Sequence, residues 1–126
     1  MNRRNVATDA APKAIGPYSQ AVWAGDLLFC AGQIPLDPTT GNMVAGGITE
    51  QTTRVLENIR VLLRSQNLDL ANVVKTTVFL TDSNHFPAMN AVYAQFFAQA
   101  PPARSTMQVT RLPKDALVEI EVIACR

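Results

Sequence analysis

Arg104 follows two prolines, Pro101 and Pro102, and leads into the β-prone run Ser105-Thr106-Met107-Gln108-Val109. Proline restricts the approach, and residues that favour extended backbone follow, so the guanidinium is expected at the mouth of a strand rather than on a mobile loop. An arginine held in this way is a carboxylate or phosphate clamp. The second chemical stretch is Leu117-Val118-Glu119-Ile120-Glu121-Val122-Ile123-Ala124. In a strand Val118, Ile120 and Val122 share one face while Glu119 and Glu121 share the other, about 7 Å apart. If the two segments are neighbours in a sheet, an anion-binding arginine and a candidate base lie side by side. The same residues also fit ordinary surface ion pairs, worth about 0–1 kcal/mol. Spacing by itself leaves both readings open.

Other polar candidates are few. In Ala14-Ile15-Gly16-Pro17-Tyr18-Ser19-Gln20-Ala21 the Gly-Pro pair makes a turn that would hold Tyr18 at a strand entrance. Its hydroxyl there either orients a ligand or simply reaches solvent. His85 is the single histidine and falls near the start of an expected helix, where a surface or capping role fits it better than catalysis. Cys30 and Cys125 lie inside apparent strands with no CxxC spacing, so they read as small buried hydrophobes rather than metal ligands. No GxGxxG or P-loop spacing occurs.

The elements that would position these residues follow from periodicity. Arg3 to Ala7 is a short edge strand; Gln20 to Ala24 and Leu27 to Ala31 form a hairpin through Gly25-Asp26. Gly32 to Gly41 reads as a loop punctuated by glycine and proline. From Thr49, taken as N-cap, Val55, Leu56, Ile59, Leu62 and Leu63 form a helical stripe ending near Gln66-Asn67. Val73 to Thr81 is the strongest strand and is expected in the middle of the sheet. A second helix runs from about Asn84 to Phe97, with Pro87 in its first turn and Phe86, Met89, Tyr93, Phe96 and Phe97 as core. The order β-β-β-α-β-α-β-β predicts an α+β fold in one domain, residues 1–126, with one sheet and two helices on one face. Leu27 to Ala31 and Val73 to Leu80 carry apolar residues towards both faces, so a second copy of the chain is expected to cover the other side.

Composition sets the outer limits. With 126 residues, 48% hydrophobic and 17% charged, the chain can bury a core without disulfides, and a net charge of +1 with only Arg3-Arg4 adjacent offers no nucleic-acid or membrane footprint. No signal-peptide core and no run near 20 apolar residues is present, which makes a cytoplasmic protein the expectation.

Five segments together resemble the RidA (reactive intermediate deaminase A, or YjgF) family: Ile15 to Ala21, Gly32 to Asp37, Val73 to Leu80, Pro102 to Ser105 and Leu112 to Glu121. The resemblance runs in order over nearly the whole chain. It implies a chorismate-mutase-like fold, a mixed sheet, and a homotrimer with ligand sites in clefts between subunits. It further implies hydrolysis of 2-imino acids, tautomers of the 2-enamino acids released by pyridoxal-phosphate enzymes, to 2-oxo acids and ammonia, without metal or organic cofactor. By that resemblance Arg104 binds the substrate carboxylate, Glu119 positions or activates water, and Tyr18 orients the ligand. Asn90, Gly32, Ala31 and Thr106 line the same site. Two residues depart from the family's common pattern: Ala31 stands where serine is frequent, and Thr106 where cysteine is frequent. The first puts substrate preference in question, and the second excludes a thiol-dependent role there.

The rival reading from another class is a ligand-binding regulatory trimer with little turnover. Ribonuclease and translation-inhibitor roles, described for relatives, are weaker for a near-neutral chain with no basic groove; a chaperone-like role, also described for relatives, depends on exposed apolar surface and stays open at the level of sequence.

Overall fold

The computed structural model describes residues 2–126. Its strands are β1 (Arg3–Val6), β2 (Ala21–Ala24), β3 (Leu27–Gln33), β4 (Val73–Leu80), β5 (Ala103–Gln108) and β6 (Val118–Cys125), and its helices are α1 (Ile48–Arg64) and α2 (Phe86–Phe96). The element order is the one the periodicity predicts. The strands form a single mixed sheet in the order β1-β2-β3-β6-β4-β5. Among the described residues only β4 and β5 run parallel. The strand expected in the middle, β4, is interior, but the more central place belongs to β6, which joins β3 to β4.

Alternation along the strands sorts residues onto two faces. Leu28, Cys30, Thr76, Val78, Val118, Ile120 and Val122 point to one side and are buried. There they meet the α1 stripe of Val55, Leu56, Ile59, Leu62 and Leu63, all inaccessible, and Met89, Val92 and Tyr93 of α2. Fully burying one such aliphatic side chain contributes about 1.5–3 kcal/mol. The opposite face carries Leu27, Phe29, Phe79, Met107, Glu119, Glu121 and Ile123, and among the described residues no helix lies over it. Leu27, Phe29 and Met107 on it remain 38%, 44% and 44% exposed.

Local boundaries differ from expectation where the backbone supplies the signal. The N-cap of α1 is Gly47, not Thr49, and the reciprocal bond comes from Glu50, whose Oε1 accepts the Gly47 N–H at 2.8 Å. The helix stops at Arg64, Ser65 caps it, and Asn67 turns through φ 60°. The expected start of α2 at Asn84 is a separate 3-10 turn, Ser83–His85, begun by the Asp82 carboxylate accepting the Asn84 N–H at 2.9 Å. His85 has the N-cap position of α2 but makes no side-chain capping bond. Gly32 and Gln33, read as loop, belong to β3, because a bulge between Cys30 and Gln33 lets the strand continue beside β6.

Buried amide side chains tie the connections to this frame. Gln20 receives the Thr8 N–H at 2.6 Å and donates to the carbonyls of Thr8 and Pro12 at 3.0 and 2.8 Å, so the segment before Tyr18 is fixed against the start of β2. Asn58 of α1 donates to the Leu36 carbonyl at 2.9 Å, and Gln51 accepts the Leu117 N–H at 2.8 Å at the entrance to β6. Each bond satisfies a group that burial would otherwise leave without water.

Candidate active site

Arg104 is the second residue of β5, an edge strand. It pairs with Thr76 of β4, which pairs with Val122 of β6, so its side chain lies on the helix side of the sheet. There Nη1 donates to Asn90 Oδ1 at 2.7 Å. The guanidinium carbon stands over the Tyr93 ring at 4.6 Å from the centroid and over the Phe86 ring at 5.4 Å. Among the described residues no carboxylate is within ion-pair distance of it, whereas Arg60, Arg64, Arg111 and Arg126 each have one. Half-buried and unneutralised, Arg104 is an anion-binding group with donors to spare.

The free edge of β5 adds backbone donors. The Val109 N–H bonds the Leu80 carbonyl at 2.8 Å, towards β4. Since successive residues present N–H and C=O groups to alternate edges, those of Arg104 and Thr106 face outwards. Thr106 shares the side-chain face of Arg104, and its buried Oγ1 has no hydrogen-bond partner.

Glu119 occupies the other face. It pairs with Phe79, which pairs with Met107, and an ideal Cβ on Gly32 would lie 2.8 Å from the Glu119 Cδ. The carboxylate therefore rests on the bare backbone of the β3 bulge, in space that any side chain at position 32 would take. Burial between the bulge and these apolar neighbours, and secondarily the charge of Glu121, hold its carboxyl above the ordinary glutamate range.

The expectation that Arg104 and Glu119 lie side by side is thus corrected. The strand β4 separates their strands, and they point to opposite faces of the same sheet. Two strand spacings alone are about 10 Å.

A hollow of about 340 Å³ opens next to Gly32 and is lined by Ile15, Tyr18, Ala31, Gly32, Pro113 and Lys114 among others. Tyr18 is 54% exposed, and its Oη accepts the Ile15 N–H at 3.3 Å. The structure accordingly groups the candidates into two sets: Arg104, Asn90 and Thr106 at the β5 edge, and Tyr18, Ala31, Gly32 and Glu119 around the bulge.

Several residues here escaped the sequence reading. Phe86 and Tyr93, expected as plain core, form with Asn90 an i, i+4, i+7 stripe that faces Arg104. Lys114 adopts φ 56° in the turn before β6 and brings a cation to the hollow. Cys30 is confirmed as buried, and burial pushes its thiol up to about 12, while Cys125 is partly exposed. Among the described residues no group of three His, Cys, Asp or Glu could hold a metal ion, and no helix is long and apolar enough to cross a membrane.

A mixed sheet with two helices on one face, carrying at its edge an arginine that no carboxylate among the described residues pairs with and a glutamate over a glycine bulge, defines a small α+β fold. Residues 8–126 match the family described as Endoribonuclease L-PSP. The chain is 55% identical to a RutC family protein of Pyrococcus horikoshii across 94% of both chains. It is 45% identical to the 2-iminobutanoate/2-iminopropanoate deaminase of Homo sapiens, across 97% of this chain and 89% of the human protein. The crystal structure of a Rid family protein from Yersinia pestis superposes with a TM-score of 0.95 at 46% identity, covering 98% and 99% of the two chains. This chain belongs to the Endoribonuclease L-PSP family, which includes the RidA proteins.

Proposed function

We propose that the protein hydrolyses small 2-imino acids, in equilibrium with 2-enamino acids, to 2-oxo acids and ammonia, and that it does so as a homotrimer with composite sites. The observation that carries this reading is Arg104: half-buried, oriented by Asn90, and without a carboxylate of its own. Its opposite-facing relationship to Glu119 supports a site made from two copies. One copy contributes Arg104, Asn90 and the outward N–H of Thr106; the next contributes Glu119, Gly32, Ala31 and Tyr18. The apolar face bearing Leu27, Phe29 and Met107 gives a physical reason for assembly, and the family resemblance supplies the number of copies.

In this mechanism Arg104 grips the substrate carboxylate through parallel N–H···O bonds, leaving the imine carbon next to Glu119. Glu119 takes a proton from water as the oxygen adds to the C=N carbon. It passes that proton to nitrogen, giving a carbinolamine; the carboxylate then takes the proton of the new hydroxyl and delivers it to the amine, so that the C–N bond breaks as the C=O bond forms, releasing ammonia and the 2-oxo acid. A carboxyl raised by burial is a stronger base than an ordinary glutamate, which suits both transfers. The Tyr18 hydroxyl orients the ligand, and the absent hydroxyl at Ala31 leaves that wall apolar. The human relative's name, 2-iminobutanoate/2-iminopropanoate deaminase, supports the same substrate class.

The test is 2-oxo acid release from freshly generated 2-iminopropanoate, compared with the spontaneous rate. Acceleration is expected with the wild type. Charge-assisted hydrogen bonds contribute about 1.5–3 kcal/mol each, so Arg104→Ala should lose roughly 100-fold or more in kcat/KM. Ligand binding without acceleration would favour the regulatory trimer, for which the apolar Ala31 is the motivating residue.

A further inference from the structure

We infer that Tyr93 is a positioning residue for the Arg104 clamp, locked in place by Thr76 so that the guanidinium is held ready for a small carboxylate. The inference rests on Arg104 being the carboxylate-binding group.

The contacts form a closed circuit through three elements. Arg104 on β5 pairs in register with Thr76 on β4. The Thr76 Oγ1 lies 2.7 Å from Tyr93 Oη on α2, both groups buried. The Tyr93 ring then lies beneath the Arg104 guanidinium, 4.6 Å from centroid to Cζ. On the same ring Phe97 packs with centroids 4.7 Å apart and planes at 39°. The ring is thus fixed at its hydroxyl by Thr76 and along its side by Phe97.

Packing by itself does not require these hydroxyls, because phenylalanine and valine would fill similar volume without two polar groups to satisfy. Their mutual bond removes that penalty and fixes where the ring stands between helix and sheet. A freely moving arginine loses rotamer freedom on being immobilised, and here that ordering precedes ligand binding. Asn90 engages Nη1, and the guanidinium's remaining N–H donors stay available. An aromatic face below the cation also favours its charge without neutralising it, unlike a carboxylate, which would compete with the ligand.

The experiment uses the full-length assembled protein. Calorimetric titration with 2-oxobutanoate, an unreactive carboxylate of the product class, is run beside steady-state turnover of 2-iminopropanoate. With the ring removed, Tyr93→Leu should raise both Kd and KM about 10-fold, with kcat changed less than about threefold. Tyr93→Phe, which restores the ring, should recover most of that loss. The double variant Tyr93→Phe/Thr76→Val removes both hydroxyls without leaving either unpaired, and should raise Kd about threefold through the lost lock. It supplies the test if Tyr93→Leu does not assemble. Wild-type Kd in folded Tyr93→Leu, or in the double variant, overturns the inference while the clamp reading stands. A wild type that binds no carboxylate removes the clamp reading and this inference together.

Discussion

Arg104 and Glu119 belong to the same sheet but face away from each other, Arg104 towards α2 and Glu119 towards the uncovered side, with β4 between them. A site requiring both must draw them from different copies. Mixing two inactive variants, Arg104→Ala and Glu119→Gln, under conditions that exchange subunits should therefore restore activity. In randomly mixed rings one interface in four carries both native residues, so recovery to about a quarter of wild type is expected. No recovery from a mixture shown by mass spectrometry to contain hybrids would reject the composite site.

Gly32 has no side chain where the Glu119 carboxylate lies, and an added Cβ would come within 2.8 Å of Glu119 Cδ. The flexible glutamate can swing aside more easily than the backbone can shift. Gly32→Ala should accordingly lower kcat about 10-fold or more by displacing the Glu119 carboxylate from its proposed position, with the melting temperature changed by only a few degrees. An active variant with normal kinetics would show that the location of Glu119 on the bulge has no catalytic consequence.

Burial, and secondarily Glu121, raise the Glu119 carboxyl above its ordinary value. The folded chain then holds this proton more tightly than the unfolded one, so stability falls as pH rises from the ordinary glutamate range through the raised value, and levels off above it. Glu119→Gln should raise the melting temperature at neutral pH, with the gain fading below the ordinary glutamate range. In kcat/KM the active base form accumulates with rising pH, giving an acidic limb displaced upwards from ordinary glutamate and absent in the variant. A stability difference that is the same at pH 4 and pH 7 would contradict the assignment.

Phe29 lies on the uncovered face, paired with Ile123 of β6. A charge there is compatible with an isolated chain and incompatible with burial between copies. Phe29→Arg should retain native circular dichroism while light scattering falls to the mass of one chain, and deaminase activity should drop with assembly. Trimers of Phe29→Arg would place the interface elsewhere.

Gln20 binds four backbone groups of the segment leading to Tyr18, the Thr8 N–H and the carbonyls of Thr8, Ala11 and Pro12. Gln20→Leu leaves buried partners unsatisfied and should lower unfolding free energy by about 1–3 kcal/mol in urea denaturation. Because the same segment sets the Tyr18 approach, KM should rise as well, which a loss confined to stability would not produce.

The succession of strands and helices was legible because the apolar period changes sharply, from alternation around Val78 to the Val55, Leu56, Ile59 and Leu63 stripe and back. The candidate site residues come from the family resemblance, and Arg104 and Glu119 also from their local chemistry. Their relation to each other was not. Which strand lies beside which is set by contacts distant in sequence, and nothing local to Arg104 or Glu119 reveals that β4 enters between them. Thr49 looked like a helix cap because hydroxyl side chains usually provide one, yet Gly47 and Glu50 satisfy that end instead. Tyr93 was hidden for a different reason. An aromatic on an apolar stripe reads the same whether it meets a leucine or an arginine.

The placement of β6 also governs how the molecule comes together in time. The sheet consists of two strand groups, β1-β2-β3 and β4-β5, which only β6 joins. Neither group has its full set of neighbours until residues near the end of the chain zip into the centre, so contacts of high sequence separation are expected to limit the folding rate. Before that step the inner edges of β3 and β4 are both unpaired, and partly folded chains could pair there with each other. Glu119 sits on the closing strand, which means that the carboxylate reaches its place over Gly32 only as the whole sheet closes. Incomplete chains would therefore offer sticky edges but no assembled chemistry.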